Sequence, residues 1–254
     1  MLRLDISCLL SVYKNIYFGV FISKNIPVIA FVSPKGGAGK TTASLLLASE
    51  FVNQFGSESV ITIIDADPNF PFKRWAGLGK KPDNIHIILD ESEETILDNI
   101  NVAKEKSKVV IIDLEGTKNM RVTYAVSQAD LVLIPVQGSM LDANEAVEAI
   151  KLIKRTEQGF GKSILYSVLF TRLPAAITSR NFLDISKQFS DAKIPILSSS
   201  LVEREAFKAI FSTGKSLYDL RNEEVSGLAK AQNDTYELAK NVIKIINSKN
   251  KKAA

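Results

Sequence analysis

Six short runs of nearly unbroken apolar residues, separated by longer stretches of helical period, restrict this chain to very few folds. The runs are Val28 to Val32, Val60 to Asp65, Ile85 to Leu89, Val109 to Asp113, Leu131 to Val136 and Ile164 to Phe170, with a shorter one near Ile196. A strand with one wet face alternates apolar and polar residues, whereas a run without polar breaks needs cover on both faces. The intervening segments Lys40 to Phe55, Thr95 to Lys106, Asp142 to Thr156, Phe182 to Phe189 and Gly227 to Ile246 have helical spacing. Ser92 ahead of Thr95, and Asp142 with Glu145 three residues on, read as helix starts. This alternation predicts an α/β fold, a single doubly wound, mostly parallel sheet flanked by helices. The expected organisation is an N-terminal extension over 1–26, one compact domain over 27–247 and a basic tail over 248–254.

The first run leads directly into Pro34-Lys35-Gly36-Gly37-Ala38-Gly39-Lys40-Thr41-Thr42 and then into a helix. Strand, glycine loop and helix in that order form a phosphate cradle. Glycines let backbone N–H groups approach phosphate oxygens, and the helix N-terminus adds positive dipole. Lys40 is placed to contact the β- and γ-phosphates of ATP, Thr41 to ligate Mg²⁺ and Thr42 to support the α-phosphate. The strict G-x-x-x-x-G-K-[ST] pattern asks for glycine where Pro34 stands, so the loop departs from the standard form, with Lys35 added at its start.

Two further strand ends carry acids. Ile63-Ile64-Asp65-Ala66-Asp67-Pro68 sets a carboxylate pair beside the expected phosphates, suited to a magnesium shell and to orienting water. Val109-Val110-Ile111-Ile112-Asp113 has the form of a second magnesium-supporting strand, and Gly116 begins a loop free to sense the γ-phosphate.

These segments resemble the ParA/MinD family of deviant Walker A ATPases, whose loop reads K-G-G-x-G-K-[ST]-[ST]. The resemblance extends from Pro27 to the C-terminal helix. It is nearest to plasmid-partition ATPases through Asp113-Leu114-Glu115-Gly116-Thr117 and Gln137-Gly138-Ser139. It implies a homodimer closed on MgATP, with Lys35 reaching the partner's nucleotide. Asp67 would position water with Asp65 in support, and Asn69 stands where relatives commonly have glutamine. Arg172 and Pro174 fall where relatives contact adenine. Leu201 to Ser216 falls where relatives have base-contacting loops and basic DNA-facing residues, which makes Arg172, Arg180, Arg204, Lys208 and Lys215 candidates for DNA phosphates. The implied function is ATP-switched, non-specific binding of double-stranded DNA, with weak intrinsic hydrolysis stimulated by a ParB-type centromere-binding partner. The alternatives are a MinD-like positioning ATPase on a membrane and a conjugation or cargo-positioning ATPase.

Composition narrows these choices. The formal charge of +4 and pI near 9.0 mildly favour a polyanionic partner. Cys8 is the only cysteine, which argues against a disulfide framework or an iron–sulfur cluster and for a reducing, cytoplasmic setting, to which the family resemblance adds nucleoid association in the ATP state. Residues 1–26 lack the pattern of a signal peptide or a membrane span, since Lys14 and Asn15 interrupt the apolar stretch, and are too short for a helix-turn-helix. The apolar spacing of Leu238, Val242, Ile245 and Ile246 suits packing on the sheet more than a membrane foot. His86 reads as a core or sheet-edge residue. Trp75 reads as either a dimer contact or packing beside the loop.

Overall fold

The computed structural model describes residues 26–34, 36–116, 119–174 and 180–253, with side chains as far as Lys249. Six strands, β1 (Val28–Phe31), β2 (Ile61–Ala66), β3 (Ile85–Leu89), β4 (Val109–Leu114), β5 (Leu131–Val136) and β6 (Tyr166–Phe170), form one all-parallel sheet in the order β3-β2-β4-β1-β5-β6. The stretch near Ile196 contributes only a parallel bridge to Val168.

Side chains alternate across the sheet and feed two separate cores. On one face Ile29, Phe31, Ile61, Ile63, Val109 and Ile111 pack with α1 (Lys40–Phe55), α2 (Pro71–Ala76), α7 (Glu205–Thr213) and α8 (Leu228–Ala253). On the other, Val28, Ala30, Val32, Ile64, Val110 and Ile112 pack with α3 (Ile96–Lys106), α4 (Met120–Gln128), α5 (Met140–Phe160) and α6 (Arg180–Asp191). Each fully buried aliphatic side chain contributes about 1.5–3 kcal/mol, so both faces are held firmly.

Pro135 sits inside β5, where a missing N–H would normally break a ladder. Val32 donates its N–H to Leu133 O and Val132 donates to Leu165 O, so residue 135 faces the β1 side. There β1 has already left the sheet for the glycine loop, and no ladder bond is lost.

Several details differ from the sequence reading. The helix expected to start at Asp142 starts at Met140, because the Ser139 hydroxyl accepts from the Asp142 N–H and also bonds its carboxylate. Helices α2, α4 and α7 were not anticipated, and α7 occupies part of Leu201 to Ser216, where loops were expected. The segment expected to be a basic tail continues α8 to Ala253. Leu238, Val242 and Ile246 of α8 are buried in the α1-side core, so that stripe is used in packing. Among the described residues no helix is long and apolar enough to cross a membrane.

Candidate functional site

The C-terminal ends of β1, β2 and β4 lie side by side, with Phe31 and Asp65 both in register with Asp113. The loop after β1 closes on itself by backbone geometry. Gly37 and Gly39 hold φ of 81° and 95°, a region that favours glycine. A Cβ on Gly39 would also meet the Thr171 side chain at 3.3 Å. Thr171 donates its hydroxyl to Ala38 O at 2.7 Å, and Gln137 Nε2 donates to Gly37 O at 2.8 Å. Both bonds occupy loop carbonyls, so what the loop retains for a ligand is its N–H groups and the N-terminus of α1. Lys40 opens that helix, 5% exposed, and its charge acts on Asp113. Gly36, Ala38, Thr41 and Thr42 stand in the same loop and first turn. Lys35 lies outside the described residues.

Asp65 and Asp113 continue the stripes Ile61-Ile63 and Val109-Ile111 on the α1 face, and both are fully buried. Thr41 donates its hydroxyl to Asp113 Oδ2 at 2.7 Å. Asp65 Oδ2 accepts from the Phe72 and Lys73 N–H groups at 2.9 and 3.4 Å, tying the strand end to α2. Burial pushes the Asp113 carboxyl up to about 7, against the Thr41 bond and the Lys40 charge. Burial likewise raises Asp65 to about 6, against the two α2 amides. The second oxygen of each, Oδ1, is buried with no hydrogen-bond partner.

Buried carboxylate oxygens in that state are costly, and a hard divalent cation with its water shell would offset the cost. The oxygen-only donor set of Thr41, Asp65 and Asp113 fits magnesium. Among the described residues no cluster of three or more acidic, histidine or cysteine ligands exists. Three protein oxygens leave the rest of an octahedral shell to water and phosphate, so the fit is to an ion carried in with phosphate oxygens. Asp67 is less buried, and its Oδ1 accepts from the Asn69 N–H at 2.8 Å.

A hollow beside the loop brings Gly39, Thr42 and Arg172 together with Arg204, Phe207 and Lys208. Arg172 holds a left-handed φ of 52°; Pro174 does not line the hollow. Arg204 pairs with Asp234 at 2.6 Å, Lys208 with Glu203 and Glu205 at 3.4 and 2.9 Å, and Lys215 with Glu224 at 2.5 Å. Arg180 is exposed at the start of α6. Thus Arg204 and Lys208, singled out for DNA, stand beside the glycine loop with carboxylate partners. Trp75 is buried and donates Nε1–H to Ile210 O and Lys215 O, so it locks α2 to α7. His86 lies exposed on β3, the edge strand.

One residue escaped the sequence reading. Arg121, in the first turn of α4, donates Nη1–H to Ala66 O at 3.1 Å and sets Nε 3.2 Å from Asp90 Oδ2. Asp90 follows β3, is fully buried, and its Oδ1 accepts from Thr95 Oγ1 and Asn99 Nδ2, each at 2.8 Å. The helix after β4 is thereby joined to the backbone between Asp65 and Asp67. The only available signal was an apolar run ending in an acid, Ile85 to Asp90, the form that had marked Asp113.

The family model described as VirC1 protein matches residues 26–247. The chain belongs to the VirC1 protein family. It is 34% identical over 208 residues to Protein ParA of Rhizobium radiobacter, covering 82% of this chain and 92% of that protein. It is 24% identical over 194 residues to the maintenance of carboxysome distribution protein A of Halothiobacillus neapolitanus, covering 76% and 87%. Its fold matches the Cyanothece McdA(D38A)–ATP complex with a TM-score of 0.65 at 16% identity, over 86% of this chain and 96% of that one. Membership in the VirC1 family and the likeness to Protein ParA make this chain an ATPase of the ParA/MinD type, as the loop implied.

Proposed function

We propose that this VirC1-family ATPase is a DNA-partition switch: MgATP closes a homodimer, the dimer binds duplex DNA without sequence preference, and hydrolysis stimulated by a ParB-type partner releases it. The observation that carries the nucleotide half is the bond from Thr41, at the end of the glycine loop, to Asp113, which stands in register with Asp65; both carboxylates are buried and each keeps an unpartnered oxygen. Residues 36–42 and Lys40 would hold the phosphates, Thr41 with Asp113 and Asp65 the magnesium, and the hollow at Arg172 the base. Bound MgATP would supply the scissile phosphoryl group and a divalent charge opposite the carboxylates. Asp67, less buried than Asp65, accepts the proton side of a water and orients it. Lys40 neutralises charge that builds at the loop. Lys35 serves the partner subunit's nucleotide, which makes closure dependent on ATP. Intrinsic turnover is weak because the constellation is complete only in the closed, partner-bound dimer.

A second reading, positioning of a protein cargo, is supported by the similarity to the carboxysome distribution protein. It uses every nucleotide residue above and differs only in the partner. The membrane-foot reading loses its support, since the apolar stripe of α8 is spent on the core. The test is binding of purified protein to random-sequence duplex DNA with ATP, with ADP and without nucleotide, over a salt series. Salt-sensitive binding confined to ATP is expected; absence of binding in every state would refute the DNA switch.

A further inference from the structure

Positive charge gathers along the β3 edge ahead of the acidic stretch Asp90, Glu91, Glu93 and Glu94 that follows the strand, whereas Arg204, Lys208 and Lys215 of the α7 region are paired with carboxylates. Residues 73–83 and 104–108 hold seven lysines and arginines against two carboxylates, Asp83 and Glu105, in a chain whose net charge is only +4. These two segments flank β3, one from α2 to the start of the strand, the other at the end of α3 and the start of β4. Lys73, Lys81 and Lys106 line one open groove along β3 together with His86, and no carboxylate lines it. Lys73 lies 6.0 Å from the Phe70 ring centroid and Lys81 donates to Pro82 O at 3.2 Å. None of the three is ion-paired among the described residues. Arg204, Lys208 and Lys215 are each committed to carboxylates, and a phosphate would have to displace those partners.

The strand itself adds donors. Ile61 N–H bonds Asn84 O and Asp90 N–H bonds Asp65 O, so residues 84, 86, 88 and 90 turn their backbone toward β2. The N–H groups of Ile87 and Leu89 therefore point outward along the groove, and backbone N–H groups are regular partners of DNA phosphates.

We infer that duplex DNA docks along the β3 edge, with its phosphates on Lys73, Lys81 and Lys106, and not on α7. This rests on the proposed DNA switch and names its surface. Contact to phosphate alone is indifferent to sequence, as that switch requires. Closure of a dimer presents two such edges on one body, and the second contact becomes intramolecular, which favours the ATP state.

The experiment compares wild type, Lys73→Gln/Lys81→Gln/Lys106→Gln and Arg180→Gln/Lys215→Gln for binding to random-sequence duplex DNA with ATP across a salt series. ATP-dependent dimerisation is followed by light scattering in parallel. Each lost phosphate contact flattens the plot of log affinity against log salt by about 0.9, so the triple variant should lose about three per engaged protomer and on the order of 10²-fold in affinity near 0.1 M salt. The Arg180/Lys215 pair should bind as wild type. If wild type binds and the triple variant keeps its affinity and slope, the edge assignment is overturned while the DNA switch stands; if wild type itself fails to bind, the switch falls and the assignment with it. Should the triple variant fail to dimerise, the single variants decide, each expected to lower the slope by about one; unchanged slopes in all three would overturn the assignment.

Discussion

Replacing Arg121 with methionine, which keeps most of its length and removes its charge, tests whether the helix after β4 and the Asp65–Asp67 turn are coupled. The arginine is 14% exposed and Asp90 is fully buried. At 3.2 Å the gross attraction is about 5 kcal/mol for an effective dielectric near 20. The pair stands at ion-pair distance without hydrogen-bond alignment, and both Nε and Oδ2 lack a hydrogen-bond partner. Coulomb attraction therefore carries it. Breaking a fully buried pair costs about 3–5 kcal/mol, but Asp90 keeps Thr95 and Asn99 and the arginine is partly wet. The expected loss is about 2–3 kcal/mol, including the Ala66 carbonyl left without its donor. For a chain of this size that lowers Tm by about 5–10 °C. Asp90→Asn should cost less, because its amide oxygen still accepts and Arg121 reaches water. The double variant should reveal a coupling of about 1–2 kcal/mol. Since Ala66 lies between the two acids, kcat for ATP should fall while KM stays within about twofold. Denaturant unfolding of all four proteins and steady-state hydrolysis measure this; additive effects, or a loss under about 0.5 kcal/mol, would refute the coupling.

Lys40→Ala should abolish ATP binding, whereas Lys35→Ala should leave binding by the monomer near wild type and impair ATP-dependent dimerisation. Calorimetry and light scattering separate the two, and a Lys35 variant that dimerises normally contradicts the cross-subunit role. Gly214→Ala should destabilise by about 1–3 kcal/mol or more, because Gly214 caps α7 at φ 71° and a Cβ there would stand 2.5 Å from Leu78 Cβ; thermal unfolding within about 1 °C of wild type would contradict it. Burial first, then the neighbouring Glu50 charge and the hydrogen bond to it, raises Tyr218 well above the ordinary tyrosine value. The folded pKa exceeds the unfolded one, so the stability this bond contributes is present below about pH 10 and lost as pH rises through and beyond it. Ultraviolet titration of the folded protein should leave this one of the six tyrosines un-ionised until unfolding, and full titration of all six while folded would oppose the assignment.

Most of the sheet was legible because parallel strands covered on both faces need unbroken apolar runs, and β3 and β5 fall where Ile85 to Leu89 and Leu131 to Val136 predicted. Helix α1 was legible end to end, since the glycine loop sets its start and Gly56 its stop. What escaped was structure stabilised from far away. Helix α2 is six residues long and holds its place through Asp65 at one end and Trp75 at the other, the latter reaching Ile210 and Lys215 across more than 130 positions. Helix α4 is rich in β-branched and polar residues, Arg-Val-Thr-Tyr-Ala-Val-Ser, and depends on the Asn119 cap, whose side chain accepts from the Val122 N–H. The start of α5 was misplaced because Asp142 has the chemistry of a cap, yet Ser139 holds that position and uses Asp142 as the third residue of the same cap.

The candidate site was readable for the opposite reason. Its residues are set by a local constraint, the approach of backbone to phosphate, which leaves glycines and lysines in a fixed spacing. The acids were readable as strand ends, but not their state. Asp65 and Asp113 follow apolar stripes into the α1-side core, and only the fold reveals that each keeps one oxygen without a partner. A folded chain that buries two carboxylates in this way gives up stability in its empty form, and the same cost favours a cation and its phosphates once they arrive. The site's affinity therefore depends on the covering elements as much as on the loop. Thr171 and Gln137 hold the loop, α2 holds Asp65, and Arg121 holds the turn that carries Asp67 to the pull of Asp90 across the ends of three strands.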